Sequence, residues 1–169
     1  MTDIKKFTSF ATSNCYLISP FDNEIVFLID LPPNIDEVID YINTNNLTIG
    51  GAFITHGHWD HAIGLSSFDS KAYINLDDEH LARNPSEQIG DFLGDKVSVN
   101  KYEGNLHNVL DHEYDFLNVY INPGHTKGSV SFEFKDLGVV FTGDFIFKDL
   151  SLIHISEPTR QEAISYAVF

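Results

Sequence analysis

Residues 55–61 read Thr-His-Gly-His-Trp-Asp-His. Three histidines and an aspartate packed this closely offer imidazole nitrogens and a carboxylate, a ligand set that suits a borderline divalent cation such as Zn²⁺. His56 and His58, two residues apart in an extended segment, point to the same side and can share one ion. Asp60 and His61 follow a turn and can face a second ion beside the first. Two later segments extend the pattern: Pro123-Gly-His-Thr-Lys-Gly-Ser129, which holds His125, and Thr142-Gly-Asp144. Each is weak alone, and in this order after the heptapeptide they form a constellation. His80, His107 and His112 lie outside it and read as surface residues.

The ligands need rigid supports, and each group follows an apolar run. Ile49 to Thr55 reads as a buried central strand ending where the histidines begin. Phe116 to Ile121 precedes the His125 loop, and Val139 to Phe141 precedes Asp144. Upstream, Lys6 to Phe10, Cys15 to Ser19 and Ile25 to Ile29 are β-rich runs split by turn residues, which predicts an antiparallel meander. Asn34 is placed to cap a helix whose Ile35, Val38, Ile39 and Ile42 share one face, with Asp36, Glu37 and Asp40 on the other. Ala62 to Phe68 predicts a short helix, Ala72 to Asn75 a strand and Asp78 to Ala82 another short helix. The segment Asp77 to Asp95 is polar, and further strands are predicted at Val97 to Tyr102 and Val130 to Lys135.

Composition narrows the function. The 169 residues include 10 Lys plus Arg against 25 Asp plus Glu, a net charge of −15, which disfavours a nucleic-acid partner that must be met by phosphate neutralisation. A hydrophobic fraction of 43% supports one domain with a substantial core. No stretch has the length of a membrane span, and the N-terminus lacks a continuous apolar leader, so the expectation is a cytoplasmic protein that does not engage a membrane. Cys15 is the only cysteine, which excludes an internal disulfide, and its apolar setting reads as packing.

The ordered motifs resemble those of the metallo-β-lactamase superfamily, and Asn14-Cys-Tyr-Leu17, Asn84-Pro85 and Pro123 to Ser129 are similar to segments of its small glyoxalase II-like hydrolases. The resemblance implies an α/β fold, an αββα sandwich of two sheets between outer helices. It also implies that His56, His58 and His125 bind one ion, that Asp60 and His61 bind a second, and that Asp144 bridges them. The implied cofactors are two divalent ions, zinc first, with iron or manganese as alternatives. The implied activity is hydrolysis of a small-molecule hydroxyacyl thioester or ester by a metal-bound hydroxide that Asp60 orients. A lactonase or esterase with the same ligands is the second hydrolytic reading, and an iron-dependent persulfide dioxygenase is the redox one. Asp30-Leu-Pro-Pro33 departs from the Asp-Pro-Gly common in the family at that place. Asp144 stands where many β-lactamases of the fold carry cysteine, which disfavours that activity.

Residues 150–169 depart from the family. Leu150 to Arg160 and Ile164 to Phe169 resemble the translation of a transposase-type sequencing-library adaptor, with Gln161 to Ala163 as its index. The expectation is an incomplete metallo-β-lactamase-like domain over 1–149 and a non-native tail over 150–169, with His154 set aside as a ligand and the family's further C-terminal histidine missing.

Overall fold

A computed structural model describes residues 4–21, 24–89 and 101–146, together with the backbone of 166–168. Two sheets face each other. The first has six strands in sequence order: β1 (Ile4–Thr8), β2 (Asn14–Ile18), β3 (Ile25–Ile29), β4 (Thr48–Phe53), β5 (Ala72–Ile74) and β6 (Leu106–Asn108). β1, β2 and β3 form the expected antiparallel meander, whereas β3 to β6 run parallel. The second sheet joins β7 (Leu117–Ile121), β8 (Val130–Phe134) and β9 (Val139–Phe141) as antiparallel neighbours. Of the C-terminal segment, the short strand β10 (Tyr166–Val168) pairs with β9. Positions 150–165 and 169, including His154, lie outside the described residues.

Helix α1 (Ile35–Thr44) connects β3 to β4 and covers the outer face of the first sheet. Its i, i+3, i+7 residues Ile35, Val38 and Ile42 are buried against Val26, Leu28 and Ala52, while Ile39 is half-buried at the edge of that cluster. Asn34 occupies the cap position without capping. Its backbone is left-handed, at φ 70°, and its side chain makes no cap hydrogen bond. Between the sheets a second core gathers Tyr16, Ile29, Phe53, Phe132, Phe134 and Phe141. With both of its faces covered, the first sheet can carry continuous apolar strands such as β3. The described residues thus form three layers, helix, sheet and sheet; the outer helical layer expected on the second sheet is not among them.

The structure revises several expected boundaries. The helix expected over Ala62 to Phe68 is α2 (Trp59–Ala62) followed by a 3-10 turn over Ile63–Ser67. The helix near Asp78 is α3 (Glu79–Arg83), entered through a 3-10 turn at Leu76–Asp78 and followed by α4 (Ser86–Ile89). Most of the strand expected at Val97 to Tyr102 lies outside the described residues, and Tyr102 itself is not in a strand. No described helix is long and apolar enough to cross a membrane.

Candidate metal centre

The parallel strands deliver chemistry at their carboxyl ends, the usual place for a site in an α/β sheet. β3 leads into Asp30, β4 leads into Thr55 to His61, and β5 leads into the turn holding Asp78. From the second sheet, the β7–β8 loop brings His125, and β9 runs into Asp144. The Thr55 carbonyl accepts from the Val130 amide at 2.9 Å, tying the two sheets together at this end.

All six residues expected from the sequence converge here. The rings of His56 and His58 are 4.8 Å apart, those of His56 and His125 4.7 Å, and those of His58 and His125 4.5 Å. His61 lies 4.3 Å from His56, ring to ring, and its Nε2 is 3.3 Å from Asp144 Oδ1 and 3.6 Å from Asp60 Oδ2. His125 Nε2 is 3.5 Å from Asp144 Oδ2. Two groups could each hold an ion, His56 with His58 and His125, and His56 with His61 and Asp144, their ligand atoms within 4.8 Å of one another. His56 thus belongs to both. Asp60 belongs to neither and faces a neighbouring cleft.

The electrostatics fit a cation. Burial, reinforced by His61, His58 and His125, holds His56 well below the ordinary imidazole value, leaving a neutral ring with a free lone pair at pH 7. His58 is lowered by burial and by His125, against the opposing pull of Asp60 and Asp144. His61 goes the other way: burial lowers it, but Asp30 and then Asp144 outweigh burial and raise it well above the ordinary value. Burial would raise Asp144, and the close approach and charge of His61, followed by the charges of His125 and His58, bring it below the usual range. Two buried atoms, His56 Nε2 and Asp144 Oδ1, have no hydrogen-bond partner among the described residues, since the 3.3 Å approach of His61 lacks hydrogen-bond alignment. Buried polar atoms are rarely left unpaired, and two of them within one nitrogen-and-oxygen cluster are what a metal centre requires.

Sequence reasoning missed the role of Asp30. It is fully buried, with a left-handed backbone at φ 60° where β3 ends. Its Oδ1 accepts from the Thr55 amide at 2.7 Å, and its Oδ2 from the Thr55 hydroxyl at 2.9 Å and His61 Nδ1 at 2.8 Å. With Nδ1 engaged by Asp30, His61 presents Nε2 to Asp60 and Asp144. The three histidines set aside stay outside the cluster. His80 is exposed and pairs with Glu87, whereas His107 and His112 pack around Tyr73.

The sequence profile described as "Metallo-beta-lactamase superfamily" matches residues 9–160. The chain belongs to this superfamily. Two of its curated relatives are a hydroxyacylglutathione hydrolase of Shewanella oneidensis and hydroxyacylglutathione hydrolase 1 of Vibrio vulnificus. The first is 26% identical over 87% of this chain and 53% of the relative, the second 33% identical over 78% and 47%. The chain thus spans about half the length of the curated relatives it matches. Among solved structures, the BLEG-1 B3 metallo-β-lactamase superposes with a TM-score of 0.74 at 21% identity, over 86% of this chain and 74% of that one. TTHA1623 in a di-iron-bound form gives 0.72 at 21%, over 85% and 73%. These structural likenesses establish the metallo-β-lactamase fold. Within it, the superfamily member described here keeps the order of metal-type motifs read from its sequence.

Proposed function

We propose that His56, His58 and His125 hold one divalent ion and that Asp60, His61 and Asp144 hold a second, in a hydrolase that cleaves small hydroxyacyl thioesters. The observation that carries this reading is the pair of buried atoms, His56 Nε2 and Asp144 Oδ1, that lack a hydrogen bond among the described residues inside the cluster. Left unmet, His56 Nε2 costs about 1–3 kcal/mol, and a cation between the ligands offsets that cost. When bound, such ions supply Lewis acidity toward a carbonyl oxygen and an activated water at neutral pH. Zinc suits the imidazole-rich set best, with iron and manganese as alternatives.

The protein's own groups do the rest. Beside the cluster opens a cleft of about 270 Å³ lined by His58, Trp59, Asp60, Leu81 and Gln88. Gln88 is committed to the scaffold: its Oε1 accepts from the Trp59 amide, and its Nε2 donates to the Leu81 and Gly57 carbonyls. Trp59 and Leu81 form an apolar wall for a short acyl group. Asp60, its side chain 26% exposed, faces the cleft and is placed to orient the attacking water and take its proton. A thiolate leaves without a strong general acid, and no described residue is assigned that role. The hydroxyacylglutathione hydrolase names of the curated relatives support a thioester as substrate.

The test is a panel of hydroxyacyl thioesters and lactones assayed with zinc, iron and manganese. Metal-dependent thioester cleavage supports the proposal, and preferential lactone opening moves the substrate to the lactonase reading. Iron uptake with oxygen consumption and no hydrolysis overturns it in favour of a dioxygenase.

A further inference from the structure

Asp78 lies outside the ligand constellation and inside a polar run of the sequence, yet it is 1% exposed. Its carboxylate reaches both histidine-bearing loops. Oδ2 accepts from the Gly57 amide at 2.8 Å and from the Thr126 hydroxyl at 2.5 Å, and Oδ1 accepts from the Gly128 amide at 2.7 Å. Gly57 separates His56 from His58, and Thr126 directly follows His125.

The surrounding residues are shaped around this carboxylate. A Cβ on Gly57 would stand 2.6 Å from the Asp78 carbonyl oxygen, and one on Gly128 would stand 2.7 Å from Asp78 Cγ. The approach from either side therefore needs glycine. Thr126 is itself fixed, its amide donating to Ser129 Oγ at 3.1 Å and its hydroxyl 2.6 Å from the same oxygen. Asp78 is anchored in turn by its amide, which donates to the Asn75 carbonyl at 3.0 Å, the position reached from the end of β5. The neighbouring Lys127–Asp77 pair also joins these segments, but it is exposed and contributes little.

We infer that Asp78 is a positioning residue that locks the His56–His58 loop and the His125 loop in one register, so that three imidazoles from two different sheets present a single preformed site. The inference rests on the reading of these histidines as metal ligands. Asp78 stands 21 residues after Gly57 and 48 to 50 residues before Thr126 and Gly128, and without its carboxylate ordering the two loops falls to the ion itself. Metal affinity then carries an ordering cost that the intact protein has already met.

The experiment is a cobalt(II) titration of the full chain, read by the visible ligand-field spectrum and by dissociation constant. Asp78→Asn offers one carbonyl oxygen to three donors. Thr126→Val keeps the shape and deletes one donor, and Thr126→Ser restores the hydroxyl. Val38→Ala, in the distant helix α1, lowers stability without touching either loop. Asp78→Asn and Thr126→Val are expected to weaken cobalt binding about 10–100-fold, as outer-shell changes typically do, and to alter the spectrum. Thr126→Ser and Val38→Ala are expected to keep the parent spectrum and an affinity close to that of the parent. If Asp78→Asn does not fold, the Val and Ser pair at Thr126 decides. Parent-like affinity and spectrum in Thr126→Val, or a loss in Val38→Ala equal to that in the loop variants, overturns the inference while leaving the metal centre standing. A parent chain that takes up no cobalt overturns the metal centre, and this inference with it.

Discussion

Asp30 Oδ2 lies 2.8 Å from His61 Nδ1, with both side chains sealed from solvent, at 0% and 2% exposure. The bond fixes the ring so that Nε2 faces Asp144 and Asp60. Removing the carboxylate strands the Thr55 amide and hydroxyl along with His61. Asp30→Ala is therefore expected to destabilise the fold by about 3–5 kcal/mol, the range for breaking a buried ion pair. Urea unfolding at pH 7 measures it, and a change below 1 kcal/mol would remove Asp30 from this role.

Asp60 is expected to matter for turnover more than for substrate capture, because it borders the cleft and stands outside both tight ligand groups. Asp60→Asn should lower kcat on a hydroxyacyl thioester by about 10²–10⁴-fold, with a smaller change in KM. Steady-state kinetics at saturating metal check this. Equal losses in kcat/KM carried wholly by KM would make Asp60 a binding residue instead.

Gly143 holds the turn into Asp144 with φ at 52°, and a Cβ there would lie 2.5 Å from Thr55 Oγ1. Gly143→Ala should cost about 1–3 kcal/mol in backbone strain, displace Asp144 and weaken metal uptake in the same variant. Thermal unfolding and metal titration report the two effects separately.

Much of this candidate centre was legible in the sequence because residue type and spacing are local properties. His56, His58, Asp60 and His61 lie in one heptapeptide, while Gly and Pro mark the His125 loop. Asp30 and Asp78 were not legible. Each acts on partners 21 to 50 residues away through a buried carboxylate, and in sequence Asp78 sits in a polar run that carries no ligand motif. Strand β6 also escaped, since three residues including a histidine and an asparagine carry no β pattern, and parallel pairing with β5 is what makes Leu106–Asn108 a strand. The parallel arrangement of β3 to β6 depends on crossovers rather than on composition, so apolar runs alone could not reveal it.

Tyr114 provides a pH prediction remote from the cluster. Burial, and then Tyr73, raise its phenol above the ordinary value, and its hydroxyl has no partner among the described residues. A raised folded value means that its contribution to stability is complete below the free tyrosine range, about 10, and is lost as pH climbs through the folded value. Tyr114→Phe is expected to gain about 1 kcal/mol at pH 7 by removing the unmet hydroxyl. It should also lose less stability than the parent between pH 9 and pH 11, two conditions at which urea unfolding provides the comparison.

The central claim, that these six side chains form one metal centre, is tested most directly by counting zinc ions bound to the purified chain and to His56→Ala. His56 is shared by both ligand groups. The parent should bind one ion tightly through His56, His58 and His125 and a second more weakly through His61, Asp144 and Asp60, with His56 within reach of both. His56→Ala should impair both steps while far-UV circular dichroism shows the fold intact. A parent that binds no zinc, iron or manganese, or a folded His56→Ala chain that binds them as the parent does, would contradict the account.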